Sequence, residues 1–136
     1  MAAGTRTVPT LIDRRARVAV AALFLTNGAL FAGLVPHFPQ IKTDLGLSNA
    51  GYGLAIAAFP TGAIVAGLGA GVVIRQFGSA RVAVAGTWLT AVGILTAGLT
   101  PAAAAFAAAL FLTGALDAIT DVAQTTHGLR VQRRYG

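Results

Sequence analysis

The chain has 136 residues, of which 56% are hydrophobic and only 10% are charged, and its mean hydropathy is +0.76. Soluble domains carry about 25% charged residues, so this composition excludes an ordinary soluble domain and indicates a membrane protein. The absence of cysteine excludes disulfides and thiolate metal sites. The net charge of +6 does not indicate a nucleic-acid partner, because the arginines lie at the borders of apolar runs.

Four apolar runs follow one another along the chain. We predict transmembrane helices at residues 18–35, 51–74, 82–99 and 102–122. A hydrocarbon core of about 30 Å needs about 20 helical residues, and lipid leaves the helix as the only open-chain structure with a satisfied backbone. The predicted fold class is therefore all-α, a multi-pass membrane helical bundle with four transmembrane helices.

The positive charges indicate an orientation in the membrane. Nine arginines precede the first run, join the second to the third or follow the fourth, whereas Lys42 alone lies in another connector. Because cationic loops remain in the cytoplasm, we expect residues 1–17 and 123–136, and hence both termini, to be cytoplasmic. The bias toward Ala, Gly and Arg favours a bacterial source, so the expected location is the inner (plasma) membrane.

Two segments of the sequence repeat each other. AALFLTNGAL at 21–30 and AALFLTGAL at 108–116 match throughout, except for the additional Asn27. In the expected topology the first copy runs outward and the second runs inward. Inverted repeats are typical of secondary transporters, whose substrate sites lie near the midplane between the repeats.

Three further stretches resemble a known family. Two of them are similar to parts of the major facilitator superfamily (MFS) of transporters. The first outer loop and second helix of that family resemble HFPQIKTDLGLSNAGYGLAIAAFPTGAIVAG, and its signature loop resembles GVVIRQFGSARV. Gly71 and Gly78 match the glycines of that loop, which also holds Arg81, and Arg75 stands where its acidic residue is usual. DVAQTTHGLRVQRRYG resembles the end of helix four in a bacterial branch, with Asp121 at the position of that branch's aspartate.

The resemblance implies a partial MFS N-terminal half, the first four of twelve helices. We therefore expect a fragment of a secondary active transporter for a small solute, which does not transport alone. The alternative is a complete four-helix membrane protein that acts as an oligomer, either as a small exporter or as an interaction subunit. The DNA that follows the codon for Gly136 would separate these hypotheses.

A few polar residues interrupt the apolar runs and are candidates for a substrate or proton pathway. They are Asn27 in the first run and Thr113, Asp117, Asp121 and Gln124 in or after the fourth. The spacing of the last four residues, together with Thr120, places them on one face of a helix. Asn27 either forms a hydrogen bond between helices or contacts a substrate. We expect Asp117 to lie within the membrane and to carry a proton or meet a polar solute, or else to pair with an arginine at an inner gate.

Asp121, one helical turn farther along, has a different expected role. At about 1.5 Å per residue it reaches the cytoplasmic boundary of the membrane. There we expect a hydrated carboxylate that pairs with Arg75, Arg81 or Arg130.

Small residues in the second run predict close helix packing. Ala63, Gly67 and Gly71 recur every four residues, which is the small-xxx-small pattern, and Pro60 predicts a kink in the same helix. Trp88, in the middle of the third run, is expected to pack inside the bundle.

The residues of the chain form no enzyme constellation. We find no nucleophile with a base, no metal-ligand cluster and no phosphate-cradling glycine loop. We therefore expect no enzymatic activity, no cofactor and no metal. The expected partners are the lipid bilayer and an unidentified small solute, with proton coupling as a hypothesis.

Overall fold

A computed structural model describes residues 8–134 as a helical bundle. The helices are α1 (Leu11–Leu34), α2 (Phe38–Asp44), α3 (Asn49–Gly67), α4 (Ala70–Phe77), α5 (Ser79–Leu99) and α6 (Ala103–Arg133), with a 3₁₀ turn at Val35–His37. Four helical segments, containing α1, α3, α5 and α6, are long and apolar enough to cross a membrane. The predicted all-α class with four candidate membrane-spanning helices is therefore confirmed.

Helix α1 begins at Leu11, before the apolar run that starts at residue 18. Thr10 and Asp13 form a capping box, in which each side chain accepts a hydrogen bond from the other residue's backbone N–H. This reciprocal pairing satisfies two backbone donors that a helix start otherwise leaves unpaired. As a result, Arg14, Arg15 and Arg17 lie on the first turns of the helix rather than in a separate segment.

The second apolar run forms two helices instead of one. Helix α3 starts after Ser48, whose hydroxyl accepts a hydrogen bond from the Gly51 N–H, and it continues through Pro60. The interruption comes at Leu68 and Gly69, where a turn bond joins the Gly69 N–H to the Ala66 carbonyl. Helix propensity is low there, because glycine recurs at every second position from residue 67 to residue 71.

Helix α6 is longer than its apolar run. It has 31 residues, which corresponds to about 46 Å at 1.5 Å per residue, so it extends well beyond a hydrocarbon core of about 30 Å. Residues 123–133, which belong to the stretch expected to follow the fourth transmembrane helix, therefore continue that helix. Arg130 and Arg133 in its last turn suit the negative end of the helix dipole. Residues 135 and 136 lie outside the described part.

Helix α6 packs most extensively against α3 and α5. Where α3 crosses α6, a Cβ on Gly62 would lie 2.0 Å from the Phe111 carbonyl oxygen, and a Cβ on Gly114 would lie 2.0 Å from that of Phe59. On the α5 side, Gly86 and Gly93 accommodate threonine side chains of α6. Small residues thus bring these backbones together, as in membrane helix pairs generally.

The small residues predicted to pack occupy other positions in this arrangement. A Cβ on Gly67 would meet nothing within 4 Å, and one on Gly71 would meet only the Arg75 side chain of its own helix, at 3.5 Å. Ala63 is half-buried beside Gly62. The close approach of α3 therefore lies one residue earlier than the predicted row of small residues.

Large apolar side chains cover the outside of the bundle. Trp88 was expected to pack inside, but its residue is 72% exposed, and Leu54 and Leu68 also face outward. In the most apolar windows of the four candidate spans, between 11% and 33% of the residues are buried within the chain. An outer surface of this kind suits lipid, because hydrocarbon does not oppose exposed apolar side chains as water does.

Candidate functional site: an asparagine between two aspartates

Helices α1 and α6 bring together the three most polar residues of their apolar segments. Asn27 of α1 is 7% exposed, and its Nδ2 donates hydrogen bonds to Asp117 Oδ1 at 2.9 Å and to Asp121 Oδ1 at 3.2 Å. The two aspartates are four residues apart, so they lie on the same side of α6 one turn apart. A single side-chain amide therefore bridges both carboxyl groups.

The arrangement leaves one strong acceptor without a partner. Asn27 Oδ1 is buried and has no hydrogen bond within the described residues. Buried polar atoms of proteins are nearly always hydrogen-bonded, so this unpaired amide oxygen can accept a hydrogen bond from a further donor. After rotation of the amide, a protonated carboxyl group or a polar group of a solute could donate a hydrogen bond to Asn27 Oδ1.

The electrostatics of the cluster are unbalanced. Within residues 8–134, the structure gives neither aspartate an ion pair with a lysine, arginine or histidine. Charged forms of both groups would repel each other, and one neutral amide compensates them only in part. A site of this kind favours a proton or a cationic group.

Asp121 differs from its expected role in one respect. It accepts a hydrogen bond from Asn27, whereas Arg130 donates to the Ser79 hydroxyl, with 3.3 Å between Nη1 and Oγ. The expected pairing with Arg75, Arg81 or Arg130 is therefore wrong for the described structure. The cause is helix rotation, because the face of α6 that carries Asp121 points toward α1.

The predicted polar face of α6 divides between two neighbouring helices. Asp117 and Asp121 contact α1, whereas Thr113 and Thr120 are fully buried against Gly93 and Gly86 of α5. The Thr113 hydroxyl has no hydrogen-bond partner among the described residues. This position makes Thr113 a packing residue of the α5–α6 interface.

Gln124, three residues after Asp121 on α6, contacts both α1 and α5 through its side chain. Its Nε2 donates to Thr87 Oγ1 of α5 at 3.2 Å and approaches the Leu23 carbonyl oxygen of α1 at 3.5 Å. Thr87 was not among the predicted site residues. Its only sequence signal is a hydroxyl within an apolar run, which it shares with Thr90 and Thr96.

The main cavities of the described region lie away from the aspartates. Their lining residues include neither Asn27, Asp117 nor Asp121. The polar cluster is nevertheless partly accessible, since Asp117 is half-buried and Asp121 is exposed.

The turn that resembles the MFS signature joins α4 to α5. Gly78 has φ of 85°, a left-handed conformation that glycine adopts without strain, which lets the chain reverse between the two helices. Arg81 then lines a cavity with Arg130 at the end of the bundle, while Arg75 extends back along α4 toward Gly71.

The inverted copies of the repeat lie in unequal surroundings. The chain runs away from the arginine-bearing end in α1 and toward it in α6, which matches the predicted opposite directions. However, Thr26 is exposed and Thr113 is buried, and Gly28 has open space where Gly114 meets a backbone. Corresponding residues of the two copies therefore pack differently.

Comparison of the chain with protein-family models, curated proteins and solved structures finds no match. The structure itself establishes an all-helical chain, within residues 8–134, that has four helices long and apolar enough to cross a membrane.

Proposed function

We propose that this chain is the N-terminal part of a secondary active transporter of the MFS type, which moves a small solute across the bacterial inner membrane. In this proposal the chain is not an enzyme, both termini are cytoplasmic, and the rest of the transport pathway comes from further helices.

The observation that carries the proposal is the contact of Asn27 with Asp117 and Asp121. Ionisable groups within membrane helices are costly, and they typically mark proton relays or solute pathways. Both carboxyl groups lie on a candidate membrane-spanning helix and have no cationic partner within the described residues. The cluster therefore has the chemistry to hold a proton or a polar solute.

The spacing of the aspartates supports a stepwise pathway. Four residues along a helix correspond to a rise of about 6 Å, and Asn27 contacts the carboxyl groups at both levels. A proton or a polar solute that moves from one aspartate to the next therefore stays beside the Asn27 amide. The unpaired Asn27 oxygen offers an acceptor during that step.

The distribution of arginines supports the proposed orientation. The described arginines lie at the start of α1, around the α4–α5 turn and in the last turns of α6, and contacts such as Arg130 with Ser79 join these elements at one end. Lys42 lies at the other end, where its ammonium group is 5.7 Å from the centre of the Tyr52 ring. The positive-inside rule then assigns the arginine end to the cytoplasm.

The first experiment determines the DNA sequence that follows the codon for Gly136. The proposal expects an in-frame or frameshifted continuation that encodes further transmembrane helices. If no such continuation exists, the proposal fails, and the alternative of a small oligomeric membrane protein takes its place.

The second experiment uses the longer protein. A panel of small solutes is screened by thermal stabilisation of the purified protein, and uptake of the stabilising solute is measured in proteoliposomes with a proton gradient. We expect Asp117→Asn to abolish gradient-driven uptake while counterflow exchange continues. Asp44→Asn is the matched control, because it removes a carboxylate at the opposite end of the bundle. Undiminished driven uptake in Asp117→Asn would exclude Asp117 from the mechanism.

A further inference from the structure

A second site lies at the arginine end of the bundle, remote from the aspartates. A cavity of about 420 Å³ is bounded by the start of α1, the α4–α5 turn and the end of α6. Its polar lining includes Arg81, Arg130, Arg134 and His127. Three cationic side chains, one from α5, one from α6 and one from the residue that ends α6, therefore line one concave surface.

Positive charge predominates at this end of the described region. Eight arginines of the described region lie on the first turns of α1, in α4 or the first turn of α5, or in the last turns of α6, whereas Asp13 is the one acidic residue there. Its Oδ1 is 4.0 Å from Arg134 Nη1, and the Arg134 side chain is 66% exposed. The Asp13 side chain is 12% exposed, and it contributes a single negative charge to this end. Among the described residues near the cavity, cationic side chains therefore outnumber acidic ones.

The cationic groups are partly held in place. The Ser79 hydroxyl, which is buried, accepts a hydrogen bond from Arg130 Nη1 at 3.3 Å, and this contact fixes Arg130 beside the α4–α5 turn. The remaining guanidinium donors of Arg130 can still bind an anion. Guanidinium groups bind phosphate through paired N–H donors, which makes arginine the favoured residue for such ligands.

We propose that this cavity binds the phosphate headgroup of an anionic phospholipid. Phe77 contributes to the lining and is 56% exposed, so an apolar surface lies directly beside the cationic one. A lipid matches both features, because its phosphate is joined to acyl chains. The position also matches, since the cavity lies at the ends of candidate membrane-spanning helices, where headgroups meet protein.

The test measures thermal unfolding of the full chain in a neutral detergent by circular dichroism. Phosphatidylglycerol, phosphatidylcholine or inorganic phosphate is added in increasing amounts at 0.15 M salt. We expect a saturable rise in the unfolding temperature with phosphatidylglycerol alone. Equal stabilisation by inorganic phosphate would overturn the assignment to lipid, and equal stabilisation by phosphatidylcholine would overturn the role of the anionic headgroup.

Two double variants distinguish a site from general attraction of charges. Arg81→Gln/Arg130→Gln removes two cavity arginines, whereas the control Arg75→Gln/Arg133→Gln removes two arginines of the same end that do not line the cavity. We expect the first pair to weaken apparent lipid affinity roughly 30-fold and the control pair by less than about three-fold, because salt screens remote charges over about 8 Å.

A third variant covers loss of folding. Arg81→Lys/Arg130→Lys keeps both charges, and we expect it to retain most of the lipid affinity. If the Gln pair fails to unfold cooperatively, the single variants Arg81→Gln and Arg75→Gln are compared by native mass spectrometry of retained phosphatidylglycerol, and we expect only Arg81→Gln to lose lipid. Equal weakening by the Gln pair and the control pair, or equal loss of lipid from the two single variants, would overturn the proposed site.

Discussion

Gly62 of α3 and Gly114 of α6 lie at the crossing of their helices, where each faces a backbone carbonyl of the other helix. A Cβ on either residue would come within 2.0 Å of that oxygen, at Phe111 and Phe59 respectively. No flexible side chain stands between the two backbones at this point, so a methyl group can enter only if the helices separate. The α3–α6 interface therefore depends on glycine at both positions.

Substitution of Gly62 by alanine should loosen the bundle. We expect Gly62→Ala to destabilise the chain by about 1–3 kcal/mol, the usual cost of overpacking. Gly53→Ala, on the same helix, has open space around its Cβ and should be neutral or slightly stabilising. Unfolding by SDS in mixed micelles, followed by circular dichroism, measures both. Similar stabilities of the two variants would contradict the close crossing.

The hydrogen bond between Asn27 and Asp117 should be detectable as coupling. In a double-mutant cycle of Asn27→Ala and Asp117→Ala, we expect a coupling energy of about 1 kcal/mol, typical of interhelical hydrogen bonds in membranes. Thr26→Ala replaces Asn27→Ala in the control cycle, because the Thr26 hydroxyl donates to the Ala22 carbonyl of its own helix. Purely additive effects in the Asn27 cycle would refute the contact.

The proposed orientation can be tested with single cysteines, since the chain has none of its own. Gln76→Cys places a thiol at the arginine end and Gln40→Cys places one at the other end, and both residues are exposed. A membrane-impermeant maleimide should label Gln40→Cys in intact cells and Gln76→Cys only after the inner membrane is permeabilised. The reverse pattern would invert the topology.

Trp88 reports whether the outer surface of α5 contacts lipid. It is the single tryptophan of the chain and lies near the middle of its helix. In liposomes, we expect blue-shifted emission and strong quenching by lipids brominated near the middle of the acyl chain. Trp88→Phe supplies the background signal. Emission that is quenched by aqueous iodide rather than by brominated lipid would place this face in water.

Several features of the protein follow from the sequence by itself. The apolar runs determine the helical class and the number of candidate spans, because lipid requires a backbone satisfied within each segment. The arginines mark which helix ends belong together. The spacing of Asp117 and Asp121 places both carboxyl groups on one side of α6 before any neighbour is known.

Only the tertiary structure decided which neighbour each polar residue meets. It directs Asp117 and Asp121 toward Asn27, buries Thr113 and Thr120 against glycines of α5, and separates Asp121 from the arginines. Helices that are apolar all round carry no hydrophobic stripe that would fix their rotation. Their rotation and crossing points depend instead on where small residues let two backbones approach, and this is a property of pairs of helices rather than of either sequence alone.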